Sequence, residues 1–183
     1  HYWLNEYHID GFRFDFTKGF SNNSNNYDDD RIDLLKRMAD TIWSAHPNAY
    51  VILEHWASNN EEKILSNYGM MLWGNVTYGY QESGMGYTSN SDLSWGVYKH
   101  RNWNDPHLIS YMESHDEERI MYKNITYGNN GTNHNVKNLI TSLERCEALA
   151  VLMLSTPGPK MIWQFGEQGY DISIDYPCRV CNK

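Results

Sequence analysis

The chain has 183 residues, of which 40% are hydrophobic and 14% aromatic, enough to bury a sizeable core and to exclude a disordered or collagen-like chain. Fifteen Lys and Arg against 23 Asp and Glu give a formal net charge of -8, and no basic block occurs, which argues against a nucleic-acid partner. The longest apolar run, Ala148 to Leu154, is far shorter than the roughly 20 residues that cross a bilayer.

In chain order, Ile9 to Phe16 reads I-D-G-F-R-F-D-F, with Phe12, Phe14 and Phe16 alternating with Arg13 and Asp15, which predicts a strand. A polar loop over Ser21 to Asp30 follows. Asp28 to Asp30 then supply caps for a helix whose apolar residues Ile32, Leu35, Met38, Ala39, Ile42 and Trp43 recur at three- and four-residue steps up to Pro47. Ala49 to Leu53 is a short apolar run ending at Glu54, the pattern of a strand buried on both faces. A helix near Asn60 to Tyr68 and a strand at Met70 to Trp73 continue the alternation, and a loop rich in Gly, Ser and Asn spans Tyr78 to Asp92. Beyond it come a helix near Leu93 to Lys99, a strand at Leu108 to Met112 running into E-S-H-D, and a long helix through Val136, Leu139, Ile140, Leu143, Cys146, Leu149 and Ala150. Thr156-Pro157-Gly158-Pro159 ends that helix, and Lys160 to Phe165 is a fifth strand candidate. Cys178 and Cys181 form a lone C-x-x-C pair, read as a local disulfide or free thiols because no second pair completes a zinc site.

Strands alternating with helices predict an α/β fold with a parallel sheet. No Gly-rich phosphate loop follows a strand, whereas three candidate strands end in carboxylates or a His-Asp pair, the placement that barrel enzymes use at the carboxyl ends of their strands. The expected architecture is therefore a partial (β/α)8 TIM barrel. A complete barrel takes about 250 residues and eight strands, against five candidates here.

Arg13-Phe14-Asp15, Glu54-His55-Trp56 and His115-Asp116 each close a predicted strand, and Asp15 and Glu54 lie 39 positions apart, one helix and one strand. Two carboxylates with different duties are what glycoside hydrolysis requires: one attacks the anomeric carbon and the other protonates the departing oxygen. The plain structural alternatives are an ordinary Arg13–Asp15 ion pair and a Glu54 that caps the next helix.

These segments resemble a known family. G-F-R-F-D at Gly11 to Asp15, the strand ending in Glu54 and the strand ending in His115-Asp116 look like three of the four signature segments of the α-amylase family, glycoside hydrolase family 13, in the same order. The closing segment P-G-P-K-M-I-W-Q-F-G-E-Q-G-Y-D, Pro157 to Asp171, is similar to the last barrel strand and following loop of bacterial members. The resemblance implies strands four to eight of the barrel with their helices, in the carboxyl-terminal part of a single catalytic domain whose amino-terminal strands lie outside the chain. It implies a retaining hydrolase of internal α-1,4-glucosidic bonds in starch or maltodextrins, with Asp15 as nucleophile, Glu54 as acid and then base, and Asp116 as third carboxylate. Arg13 would orient Asp15, and His115, Trp56, His55 and Lys18 would contact substrate, Lys18 on the leaving-group side although Gly19 stands where a His commonly follows. Debranching, exo-acting or glucan-transferring chemistry, or a non-catalytic carbohydrate-binding relative, are the alternatives.

For a retaining enzyme the Asp15 and Glu54 carboxyls should stand about 5 to 5.5 Å apart, and Trp56 should help desolvate Glu54. Calcium is implied for the complete enzyme, without ligands assignable in these residues, so the metal set is none. Unpaired strand edges would favour self-association. A polymeric substrate implies an extracellular, periplasmic or cell-surface location.

Overall fold

The structure is a computed structural model that describes residues 1–23 and 27–177. The Cys178/Cys181 pair lies outside the described residues. The chain divides into two compact units, His1–Gly74 with Val97–Ile109, and Asn75–Gly96 with Ser110–Lys183.

The first unit is a parallel sheet with its crossover helices. Strands β1 (Gly11–Phe14), β2 (Tyr50–Leu53), β3 (Met71–Trp73) and β4 (Leu108–Ile109) pair in that order, with Arg13 opposite Ile52 and Phe14 opposite Leu53. A short helix α1 (Tyr2–Glu6) precedes β1, and helices α2 (Asp29–Ala45) and α3 (Asn59–Tyr68) make the first two of the three crossovers, β1 to β2 and β2 to β3. The Asp28 side chain caps α2 by accepting from Arg31 N, and Asp29 and Asp30 place negative charge in its first turn, where the helix dipole favours it. The apolar stripe of α2 buries Ile32, Leu35 and Ala39 against Val51, Leu53, Leu65, Leu72, Trp103 and Leu108. Each of the Ile, Leu and Val side chains contributes roughly 1.5–3 kcal/mol when fully buried. Trp43 Nε1 donates to Ala49 O at 2.9 Å and so ties the end of α2 to the entry of β2.

The second unit packs α4 (Thr77–Met85), α5 (Ile120–Tyr127) and α6 (Leu139–Ser155), with a two-stranded antiparallel ribbon of β5 (Asn130–Gly131) and β6 (His134–Asn135). Its core holds Val76, Tyr80, Ile120, Leu149 and Met153. Ser110 bridges Lys160 in parallel: Ser110 N donates to Pro159 O and Met161 N to Ser110 O, each at 3.0 Å.

Four expectations need correction. The loop predicted over Tyr78 to Asp92 contains α4, whose glycines are contact points rather than breakers. A Cβ on Gly84 would stand 2.7 Å from Asn124 Oδ1, and one on Gly79 the same distance from Asp92 O. The helix predicted near Leu93 to Lys99 is a single 3-10 turn, Ser94–Gly96. The strand predicted over Lys160 to Phe165 is the lone bridge at Lys160, because a turn with Gly166 N donating to Trp163 O and Phe165 at φ 67 ends the extended backbone. Strand β2 is not buried on both faces throughout: Val51 and Leu53 are buried, but Tyr50 is exposed.

Candidate active site

Strands β1 and β2 are in register, so the residues that follow them emerge side by side. Glu54 N donates to Phe14 O at 2.9 Å, and Thr17 N donates to Glu54 O at 2.8 Å. One guanidinium then joins both carboxylates: Arg13 Nη1 donates to Asp15 Oδ1 at 2.6 Å, and Arg13 Nη2 stands 2.8 Å from Glu54 Oε1 as an ion pair. Arg13 is itself stacked over the Trp73 ring at 5.3 Å. The other Glu54 oxygen, Oε2, accepts from Phe16 N at 2.8 Å.

The two carboxylates share a counter-charge yet sit in opposite surroundings. The Asp15 side chain is 76% exposed and that of Glu54 4%. Burial raises the Glu54 carboxyl above its ordinary range, and the hydrogen bond and negative charge of Asp15 add to this, while the Phe16 N–H and Arg13 partly oppose it. Such pairs, pushed apart by environment, separate acid from nucleophile in glycosidases. Glu54 does not cap α3, since the N-cap is Ser58. The Arg13–Asp15 ion pair exists, but it belongs to a three-group cluster.

Two bulky residues that flank the pair adopt left-handed backbone, Phe16 at φ 44 and Trp56 at φ 50. Conformations of this kind cost about 1–3 kcal/mol each and persist where surrounding contacts over-determine them. Trp56 is half-buried, and its Nε1 donates to Trp73 O at 3.2 Å. Lys18 Nζ reaches Trp56 O at 3.5 Å and lies over the Phe16 ring at 5.3 Å.

His55 is a correction. Expected at the substrate, it is buried, with Nδ1 3.0 Å from Thr17 Oγ1 and Nε2 3.0 Å from Glu61 Oε2. Alternation explains this: the residue after Glu54 faces the other way. Burial lowers its proton affinity, outweighing the Glu61 carboxylate. Behind it, Arg31 makes a two-pronged contact with Glu61, Nη2 to Oε1 at 2.7 Å and Nε to Oε2 at 3.1 Å, both side chains being fully buried. Arg31 Nη1 also donates to Lys18 O, Ser21 Oγ and Asn23 O, each at 3.0 Å. The segment after Asp15 and the segment after Glu54 are thus fastened to one buried ion pair. The sequence does signal this set, because Arg31 and Glu61 each stand four residues before a buried Leu, Leu35 and Leu65, on the apolar face of their helices.

His115 and Asp116 stand in the second unit. His115 Nε2 is 3.1 Å from Asp116 Oδ2, both side chains are about two-fifths exposed, and the His115 ring lies 5.9 Å from that of Trp163. Asp116 N donates to Ser114 Oγ, and Ser114 Oγ donates to Glu117. Glu113 anchors the segment: it accepts from Ile120 N at 2.7 Å and from Arg119 Nη1 at 3.3 Å. Among the described residues, no group of three or more His, Cys, Asp or Glu is placed to hold a metal ion. None of the described helices is long and apolar enough to cross a membrane.

No family model matches the chain. The 1,4-alpha-glucan branching enzyme GlgB of Bacillus subtilis is 28% identical over 125 residues, covering 64% of this chain and 16% of that protein. Among solved structures, Amy13B of Eubacterium rectale superposes on 94% of the chain with a TM-score of 0.67 at 20% identity, using 33% of its own length. A pullulanase of Anoxybacillus sp. LM18-11, solved with maltotetraose, matches 94% of the chain at a TM-score of 0.65 and 16% identity over 26% of its length. The alpha-amylase of H. orenii matches 93% at 0.60 and 18% identity, over 33% of its length. The chain thus spans a third or less of these relatives. The resemblance carried by the signature segments extends to the α/β fold with its parallel sheet, which is similar to parts of α-amylase-family barrels.

Proposed function

We propose that this chain carries the reacting carboxylates of a retaining glycoside hydrolase of the α-amylase family, acting on internal α-1,4-glucosidic bonds of starch or maltodextrins. The observation that supports it most is the Arg13 guanidinium held between an exposed Asp15 and a buried Glu54. In this reading an Asp15 oxygen attacks the anomeric carbon while the Glu54 proton passes to the departing glycosidic oxygen, so one C–O bond forms as another breaks. Glu54, now a carboxylate, takes a proton from water, whose oxygen displaces Asp15 and restores both groups. Arg13 orients the nucleophile, and Trp56 and Lys18 line the substrate path. His115 and Asp116 hold the sugar hydroxyls, a role that rests on their motif alone. The chain then represents strands four to eight of a longer barrel, a reading supported by the third or less of each relative that it spans. A polymeric substrate fits an extracellular, periplasmic or cell-surface location.

The match to a branching enzyme and to a pullulanase supports a second reading, in which the same chemistry acts at α-1,6 branch points. Product profiles on maltoheptaose and pullulan separate the two. The mechanism itself is tested by quenching the full-length protein during turnover of a fluorinated α-glucosyl fluoride and mapping the adduct by mass spectrometry. The expected label is on Asp15, absent in Asp15→Asn. A label on another carboxylate, or an inverted anomeric product, removes the assignment.

A further inference from the structure

The geometry points to Phe16 as a stacking platform for the sugar ring beside the cleaved bond. It rests on the reading of Asp15 and Glu54 as the reacting pair and adds a residue that determines specificity. Phe16 N lies 2.8 Å from Glu54 Oε2, so the ring starts from a backbone already in contact with that pair. The residue is half exposed, at 50%. Its backbone is left-handed, φ 44 and ψ 47, a conformation that Gly or Asn adopts with less strain. A phenyl ring therefore stands where the backbone alone would favour a small residue.

Its seat is shaped on two sides. A Cβ on Gly19 would lie 2.6 Å from Phe16 Cδ1 and 2.7 Å from Cε1, so the ring occupies the space that any larger residue at 19 would need. Lys18 Nζ lies over the ring, 5.3 Å from its centroid, a cation–π contact that holds one face and keeps a charged hydrogen-bond donor next to the ring. A fixed aromatic ring on a half-exposed residue, beside a charged donor and two carboxylates, suits a pyranose, which has apolar C–H faces and a rim of hydroxyls. Pockets for such ligands combine aromatic surface with a few placed polar groups in this way.

The test uses the full-length protein, with Phe16→Leu, Phe16→Ala and Phe16→Trp. Leu keeps the apolar character and loses the ring, whereas Trp keeps a ring. Phe16→Leu and Phe16→Ala are expected to raise KM for maltoheptaose by roughly tenfold with a smaller change in kcat, and Phe16→Trp to stay within about threefold of wild type. Calorimetric titration of maltoheptaose into Asp15→Asn should show the same loss when Phe16→Leu is added. Unchanged KM and Kd in Phe16→Leu, in an enzyme that hydrolyses the glucan, overturn the platform and leave the reaction standing. An equal fall in kcat for all three variants at constant KM makes Phe16 a backbone support for Glu54 and likewise overturns it. A wild-type protein that neither binds nor hydrolyses α-glucans overturns both readings.

Discussion

The Glu54 carboxyl has one oxygen on Arg13 and the other on a backbone N–H, yet burial still raises its proton affinity. In the proposed role of general acid, Glu54 is competent below its own pKa, so the rate should fall as pH rises through the Glu54 value, which lies above the ordinary 4.5. Arg13 opposes the shift, so Arg13→Gln should move the alkaline limb of kcat/KM to higher pH while lowering the rate at every pH. A limb that stays in place, or moves to lower pH, would separate Arg13 from Glu54. The two carboxylates were legible in the sequence because charges closing apolar strands need a reason to be there. His55 was not, since its neighbour Glu54 suggested the site and the alternation of side chains sends it inward instead.

At the level of elements, α2 was legible from its apolar spacing and caps and α3 as a short helical stretch, but their most consequential residues are charged groups seated on the apolar faces of those helices. Arg31 and Glu61 meet between the first turns of these helices and fasten the segment that follows Asp15. Removing one partner of a buried pair leaves an uncompensated charge and costs about 3–5 kcal/mol, whereas replacing both by apolar groups is often close to neutral. Glu61→Leu alone is therefore expected to lower stability by about that amount in urea unfolding. Arg31→Met with Glu61→Leu should recover part of it, but not all, because Lys18 O and Asn23 O lose their donor. Strict additivity of the two single changes would mean that the pair is not coupled. Helix α4 escaped the sequence reading because its glycines serve close packing against Asn124 and Asp92, and composition alone does not distinguish packing from flexibility.

For the whole molecule, the alternation of strand and helix conveyed a parallel sheet, while the division into two units depends on long-range contacts that no local pattern encodes. What the units share is a charged interior, and its titration sets how stability depends on pH. Burial raises Glu54 and Glu62 in the first unit and Glu113 in the second, Glu62 to about 7 despite Arg101 Nη1 at 2.8 Å. A carboxyl with a raised folded-state pKa binds protons more tightly in the fold, so its contribution is complete below 4.5 and lost as pH rises through the folded value. For Glu62 that window runs from 4.5 to about 7 and is worth up to about 3 kcal/mol. His55 works in the opposite direction: its folded-state value is lowered, so its contribution is present above 6.5 and lost as pH falls. The Glu62 window covers most of the interval from pH 5 to 7.5, and the urea midpoint should be higher at pH 5 than at pH 7.5. Glu62→Gln cannot titrate, and should flatten that slope even if the lost ion pair with Arg101 lowers the midpoint at both values. A midpoint that climbs from pH 5 to 7.5 in the wild type would mean that the buried ion pairs hold these glutamates ionised and that their partners outweigh burial.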